Sequence, residues 1–95
     1  MDAPDAAPVY RLASPWNGDH FFTLSAGEKE YAEAIGYRFE ATVGFAFPGP
    51  GPGRTALFRA VNPVTGQHLY LTDADHFLGL QAPWVREGVA GYVLK

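Results

Sequence analysis

The feature that most constrains this chain is that it is written twice. Val9-Tyr10-Arg11 returns as Leu57-Phe58-Arg59, and Ser14-Pro15 returns as Asn62-Pro63. Gly18-Asp19-His20-Phe21-Phe22 returns as Gly66-Gln67-His68-Leu69-Tyr70, at an offset of 48. Farther along, Glu40 matches Glu87 and Gly44-Phe45 matches Gly91-Tyr92 at an offset of 47. The second copy has therefore lost one residue in its middle. Ordered matches at Arg, Pro, Gly, His, Glu and Gly mark a duplication, and a duplication restricts the fold to two like halves.

Neither half stands alone. A unit of roughly 40 residues cannot bury a core of its own, and 95 residues in all fit one small domain. The domain is read as residues 8–95: a first repeat at 8–47, a Pro/Gly connector at 48–54 and a second repeat at 55–95. Residues 1–7 are read as a frayed tail, since Asp, Ala and Pro there have nothing to pack with. The alternating Pro and Gly of residues 48–53 form neither helix nor ladder, which makes the connector exposed and extended.

Within each copy the pattern predicts strand, strand, helix, strand. Residues 9–14 and 20–24 alternate and are rich in strand formers, with Asn17-Gly18 as a hairpin signal between them. Ser25 and Glu28 have capping-box spacing ahead of a short helix that stops at Gly36. Tyr31, Ala34 and Ile35 fall on one side of that helix and are assigned to the core. Asp73 caps a shorter helix in the second copy, where Gly79 and Pro83 cut it off. Residues 37–47 and 84–94 supply the closing strands. The fold class is α+β, dominated by antiparallel strands, with two β-β-α-β repeats about a pseudo-twofold axis. Phe21, Phe22, Phe45, Tyr70, Tyr92 and Trp84 are assigned to packing.

Composition narrows the partners. Seven Lys plus Arg against ten Asp plus Glu give a net charge of −3, and no basic run offers a phosphate backbone anything to hold. Nucleic acid is excluded as a partner on that ground. No apolar stretch is long enough to insert into a membrane. The absence of cysteine removes disulfides and thiol chemistry. The start, Met1 to Pro8, does not read as a signal peptide, which leaves both a protein kept inside the cell and one whose leader lies outside this sequence.

Three residues recur in both copies: Arg11, His20 and Glu40, and their equivalents Arg59, His68 and Glu87. Alternation puts each Arg on an otherwise apolar face, so each needs a carboxylate, and the Glu of its own repeat is the natural partner. Two readings stand: a structural Arg–Glu–His network, or a polar pocket that hydrogen-bonds a ligand. Two histidines without a third ligand do not define a metal site, and neither metal nor cofactor is expected. The hairpin tip Trp16-Asn17-Gly18-Asp19 is the sharper ligand candidate. An exposed indole can stack on the apolar face of a sugar while Asn17 and Asp19 bond its hydroxyls. The alternative is that Trp16 folds back as a lid over the sheet. No nucleophile, base and orienting group converge on one place, and Glu40 and Glu87 are too alike for separate acid and base roles, so no enzyme is expected.

The pattern Tyr-Arg, Pro-x-x-Gly-x-His-x-x-Thr, Gly-Tyr and Glu-Gly-x-Ala-Gly-Tyr resembles a tandem aromatic-rich repeat family of unassigned function, found in secreted bacterial and fungal proteins. It is carried by Tyr10-Arg11, Gly18 to Thr23, Glu28, Gly36-Tyr37 and Glu40, then by Phe58-Arg59, Asn62-Pro63, His68, Thr72 and Glu87 to Tyr92. The second copy departs from it: His76 stands where the first has Glu28, and Pro83-Trp84 replaces Gly-Tyr. The resemblance implies a secreted or cell-surface accessory module. Together these readings predict a non-catalytic extracellular binding module for carbohydrate or a cell-surface glycan, with Trp16, Asn17, Asp19, Arg11, His20 and Glu40 at its site. The competing expectation is an interaction or self-assembly module, a homodimer joined through exposed strands.

Overall fold

Alternation and turn chemistry produce the same unit twice. A computed structural model describes residues 5–94. In the first repeat, β1 (Ala7–Ala13) is flanked by β2 (His20–Thr23) and β3 (Arg38–Ala46), with α1 (Ala26–Ala34) between β2 and β3. In the second, β4 (Arg54–Asn62) is flanked by β5 (Gln67–Leu71) and β6 (Val85–Leu94), with α2 (Ala74–Leu78) between them. Both sheets are antiparallel and have the same strand order, so the α+β, strand-dominated class holds.

The duplication extends to details of backbone. Gly18 and Gly66 close the two hairpins at φ of 72° and 78°, a region that favours glycine. Ser25 and Asp73 each accept a hydrogen bond from the amide three residues on, at 3.1 Å in both helices. The register of β1 with β3 slips between Arg11 and Leu12, leaving Glu40 as a bulge residue; that of β4 with β6 slips between Arg59 and Ala60, leaving Glu87. A bulge re-aims the side chain of its extra residue. The same bulge in the same place puts both glutamates beside their arginines.

The first repeat's core is Leu12, Phe21 and Ala32, with Tyr10, Tyr37 and Phe39 around it. In the second, Phe77 of α2 stacks on Phe58 at 4.6 Å. The sheets meet through a two-bond bridge between Phe47 and Tyr92 and through contacts of β2 with β5. The outcome is flat, 39 × 31 × 17 Å, with a radius of gyration of 13.7 Å against about 12 Å for a compact domain of this length.

Several sequence-based assignments change. The core side of α1 is Ala32, whereas Tyr31 is 67 % exposed, Ile35 is about half exposed and Ala34 faces water. Lys29 takes the place given to them: its ammonium lies 4.6 Å from the Phe39 ring while its stem covers the sheet. Phe45 is exposed rather than packed, and Trp84 is half-buried. The connector is anchored at its end, where Arg54 donates to the Gly49 carbonyl and stacks on Phe47. Arg54 also makes a bidentate pair with Asp5. Residues 1–4 of the expected tail, and Lys95, lie outside the described residues; β1 begins at Ala7.

Candidate functional site

Each repeat builds the expected triad. Glu40 Oε1 accepts from Arg11 Nε at 3.0 Å and lies 3.2 Å from His20 Nε2. Glu87 Oε1 accepts from Arg59 Nε at 2.9 Å and lies 4.0 Å from His68 Nε2. Strand alternation sets the Arg and His on one face, and the bulge delivers the Glu.

The two triads then part company. Arg59 donates to both carboxylate oxygens of Glu28 in the other repeat, at 3.0 and 2.8 Å, and its guanidinium lies 4.7 Å from the Phe21 ring. Asp19 Oδ2 accepts from the His68 backbone amide at 2.9 Å and stands 3.0 Å from its Nδ1. The side chains of Arg59 and His68 are 13 % and 9 % exposed; those of Arg11 and His20 are 39 % and 48 % exposed. Gln67 and His76, which hold the places of Asp19 and Glu28, make no return bond to His20 or Arg11 among the described residues. The contacts of Glu28 and Asp19 are thus one-sided, while equivalent residues of the two repeats meet at Asn17–Thr65 and Phe22–Tyr70.

Capping-box spacing anticipated only half of what Glu28 does. Ser25 caps the helix, but its own amide is taken by Thr23 Oγ1, and the Glu28 carboxylate turns to Thr23 and Arg59. Hydrogen bonding from Arg59 holds the Glu28 carboxyl below its ordinary value of 4.5 against partial burial, with Thr23 adding to the effect. Burial by itself would lower Arg59; the Glu28 hydrogen bond and the charges of Glu28 and Glu87 reverse this and raise it. Because the folded carboxyl is the stronger acid, the pair stabilises the fold at neutral pH and loses that contribution as pH falls through the carboxylate range. Urea titrations between about pH 6 and pH 3 therefore give a shallower fall in stability for Glu28→Gln than for the parent chain. An unchanged slope contradicts the pairing.

Asn17 and Asp19, expected to touch ligand, bond across to the second repeat. Asn17 Nδ2 donates to the Thr65 carbonyl on the opposite hairpin, while its Oδ1 accepts from the Asp19 amide at 2.9 Å. Trp16 is different. Its indole is 67 % exposed, with one edge against Tyr37 at a centroid distance of 5.7 Å. Gly36, at φ 120°, makes room for it: a Cβ there would stand 3.1 Å from the ring.

Beside Tyr37 lies a cleft of about 190 Å³ between α1 and the second repeat. Tyr31, Ile35, Tyr37 and Phe21 form its apolar walls, and Glu28, Arg59, His68 and Glu87 its polar lining. Burial raises the Tyr37 hydroxyl, assisted by the Asp19 and Glu87 carboxylates, so it stays neutral and able to donate. The cleft offers carboxylate acceptors, guanidinium and hydroxyl donors, and exposed aromatic rings at its margin. Arg11, His20 and Glu40 belong to a separate surface. Tyr31 was missed because helical spacing placed it in the core; the signal for the cleft was the mismatch of Glu28 with His76 and of Asp19 with Gln67.

A β-dominated domain of two repeats, joined by Glu28 and Asp19 of the first repeat and by Arg59 and the Tyr70 hydroxyl of the second, is the class of protein these observations define. Residues 1–94 match the family described as a domain of unknown function, DUF5648, and the chain belongs to it. No curated protein and no solved structure matches it.

Proposed function

We propose that the domain is a non-catalytic, extracellular binding module whose ligand is a carbohydrate, taken up in the cleft between α1 and the second repeat beside Trp16. The observation that carries this reading is a cleft lined with carboxylate and guanidinium groups that has the exposed Tyr31 ring on its wall and the exposed Trp16 ring just outside it, against Tyr37. Exposed aromatic surface costs hydration free energy, and the C–H face of a sugar ring covers it while the hydroxyls reach the polar lining. Trp16 of the predicted site is retained, and Glu28, Arg59 and Glu87 take the polar role expected of Asn17 and Asp19. A glycan array probed with the parent chain and with Trp16→Ala tests it. Binding to at least one glycan is expected, weakened about tenfold or more in Trp16→Ala, a loss of roughly 1.4 kcal/mol. An array without signal for the folded parent chain, or signal indifferent to both Trp16→Ala and Tyr31→Ala, overturns it.

A further inference from the structure

The first repeat carries an acceptor face that this chain does not fill. In the second repeat, Glu87 holds Arg59 from within and stands 4.0 Å from His68, and Glu28, Asp19 and Phe21 close over them from the other repeat. In the first, Glu40 holds Arg11 at 3.0 Å and lies closer to its histidine, 3.2 Å from His20. Arg38 stands 3.9 Å from the same carboxylate with its side chain 80 % exposed. Among the described residues, the two terminal nitrogens of Arg11 have no carboxylate partner, although their counterparts on Arg59 both do.

The second repeat cannot provide the missing cover. At the positions of Asp19, Phe21 and Glu28 it has Gln67, Leu69 and His76. Both carboxylates are gone, and His76 would bring a basic group toward a guanidinium. Apolar surface lies open nearby as well: Val9, Phe22 and Phe45 of the first repeat and Leu57, Tyr70 and Val93 of the second border a cleft of about 340 Å³.

We propose that the Arg11–His20–Glu40 face is a docking site for another strand–strand–helix–strand repeat, carried by a different chain, that presents Asp and Glu where Asp19 and Glu28 stand here. The junction inside this chain identifies the occupant. Acceptor, bulge and ladder register are the same in both repeats, and one acceptor is already filled by such a repeat. Complementarity of charge demands the two carboxylates. A second copy of this chain does not supply them, since its Asp19 and Glu28 are engaged and its other repeat lacks both. The proposal concerns a different face from the glycan cleft and stands independently of it.

A donor can be made from the chain itself. Gln67→Asp with His76→Glu, both at exposed positions, gives the second repeat the missing carboxylates. Adding Arg11→Glu disables that variant's own acceptor. Titrated into the ¹⁵N-labelled parent chain, the triple variant is expected to shift the amides of Arg11, His20 and Glu40 saturably, and to leave labelled Arg11→Glu unmoved. The double variant, with its acceptor intact, is expected to rise in light-scattering mass above 10.3 kDa with concentration, while the parent does not rise by this route. A well-dispersed donor that moves none of these amides, or a double variant that stays at monomer mass at submillimolar concentration, overturns the proposal. Trigalacturonate moving the same amides while the donor does not assigns the face to an acidic glycan and overturns it too.

Discussion

Arg59→Ala lowers the free energy of unfolding by about 3 kcal/mol, whereas Arg11→Ala, the same residue of the other repeat, costs under about 1 kcal/mol. The difference follows from what surrounds each guanidinium. Arg59 is 13 % exposed and joins Glu28, Glu87 and the Phe22 carbonyl; removing it leaves two carboxylates without their shared cation. Breaking a buried pair costs about 3–5 kcal/mol, and the lower end applies because Glu28 is itself partly open to water. Arg11 has one carboxylate and is 39 % exposed, the situation of a surface ion pair. For a domain of this size 3 kcal/mol moves the melting temperature by about 12–24 °C, and 1 kcal/mol by about 4–8 °C. Thermal or urea unfolding followed by circular dichroism reads both. Equal losses for the two variants contradict the one-sided junction.

Phe21→Ala costs about 3–4 kcal/mol, for two separable reasons. The ring packs on Leu12 and Ala32 inside the first repeat, and its other side meets His68 at 4.9 Å and Arg59 at 4.7 Å in the second. Truncation removes apolar burial and also opens the junction to water, which weakens the Glu28–Arg59 pair. Phe21→Leu, which installs the residue found at the equivalent position of the second repeat, keeps most of the volume and costs about 1 kcal/mol. A domain of 95 residues has only about 5–14 kcal/mol in total, so the Ala variant gives up a large share of it. Urea unfolding measures both substitutions. A loss near 1 kcal/mol for Phe21→Ala excludes the ring from the junction.

Most of the architecture is legible in the repetition alone. Matching Arg, Gly, His and Glu positions imply matching hairpins, caps and closing strands, and each Arg–Glu pair is legible because an arginine on an apolar face needs a carboxylate. The junction was harder to read. Alternation says which residues share a face within a sheet, but nothing local says which face of one repeat meets which face of the other. Glu28 illustrates the limit: three residues after a serine at a helix start, it reads as a capping group, and only the arrival of Arg59 from another sheet redirects it. Tyr31 and Ile35 show the same limit for apolar residues. Helical spacing identifies a face, yet the small domain buries Ala32 and the stem of Lys29 instead, leaving the aromatic ring exposed. Asn17 and Asp19 were recognisable as polar hairpin residues with free bonding capacity, but their partners lie on the opposite hairpin, Thr65 and His68, which no spacing reveals.

Asp19, Phe21 and Glu28 of the first repeat close over Arg59 and His68, and their equivalents in the second do not close over Arg11 and His20. A nuclear Overhauser spectrum of the aromatic protons observes this directly. Cross-peaks between the Phe21 ring and the His68 imidazole are expected from rings 4.9 Å apart, with none between the Leu69 methyl groups and the His20 imidazole. Cross-peaks of both kinds, or of neither, contradict it.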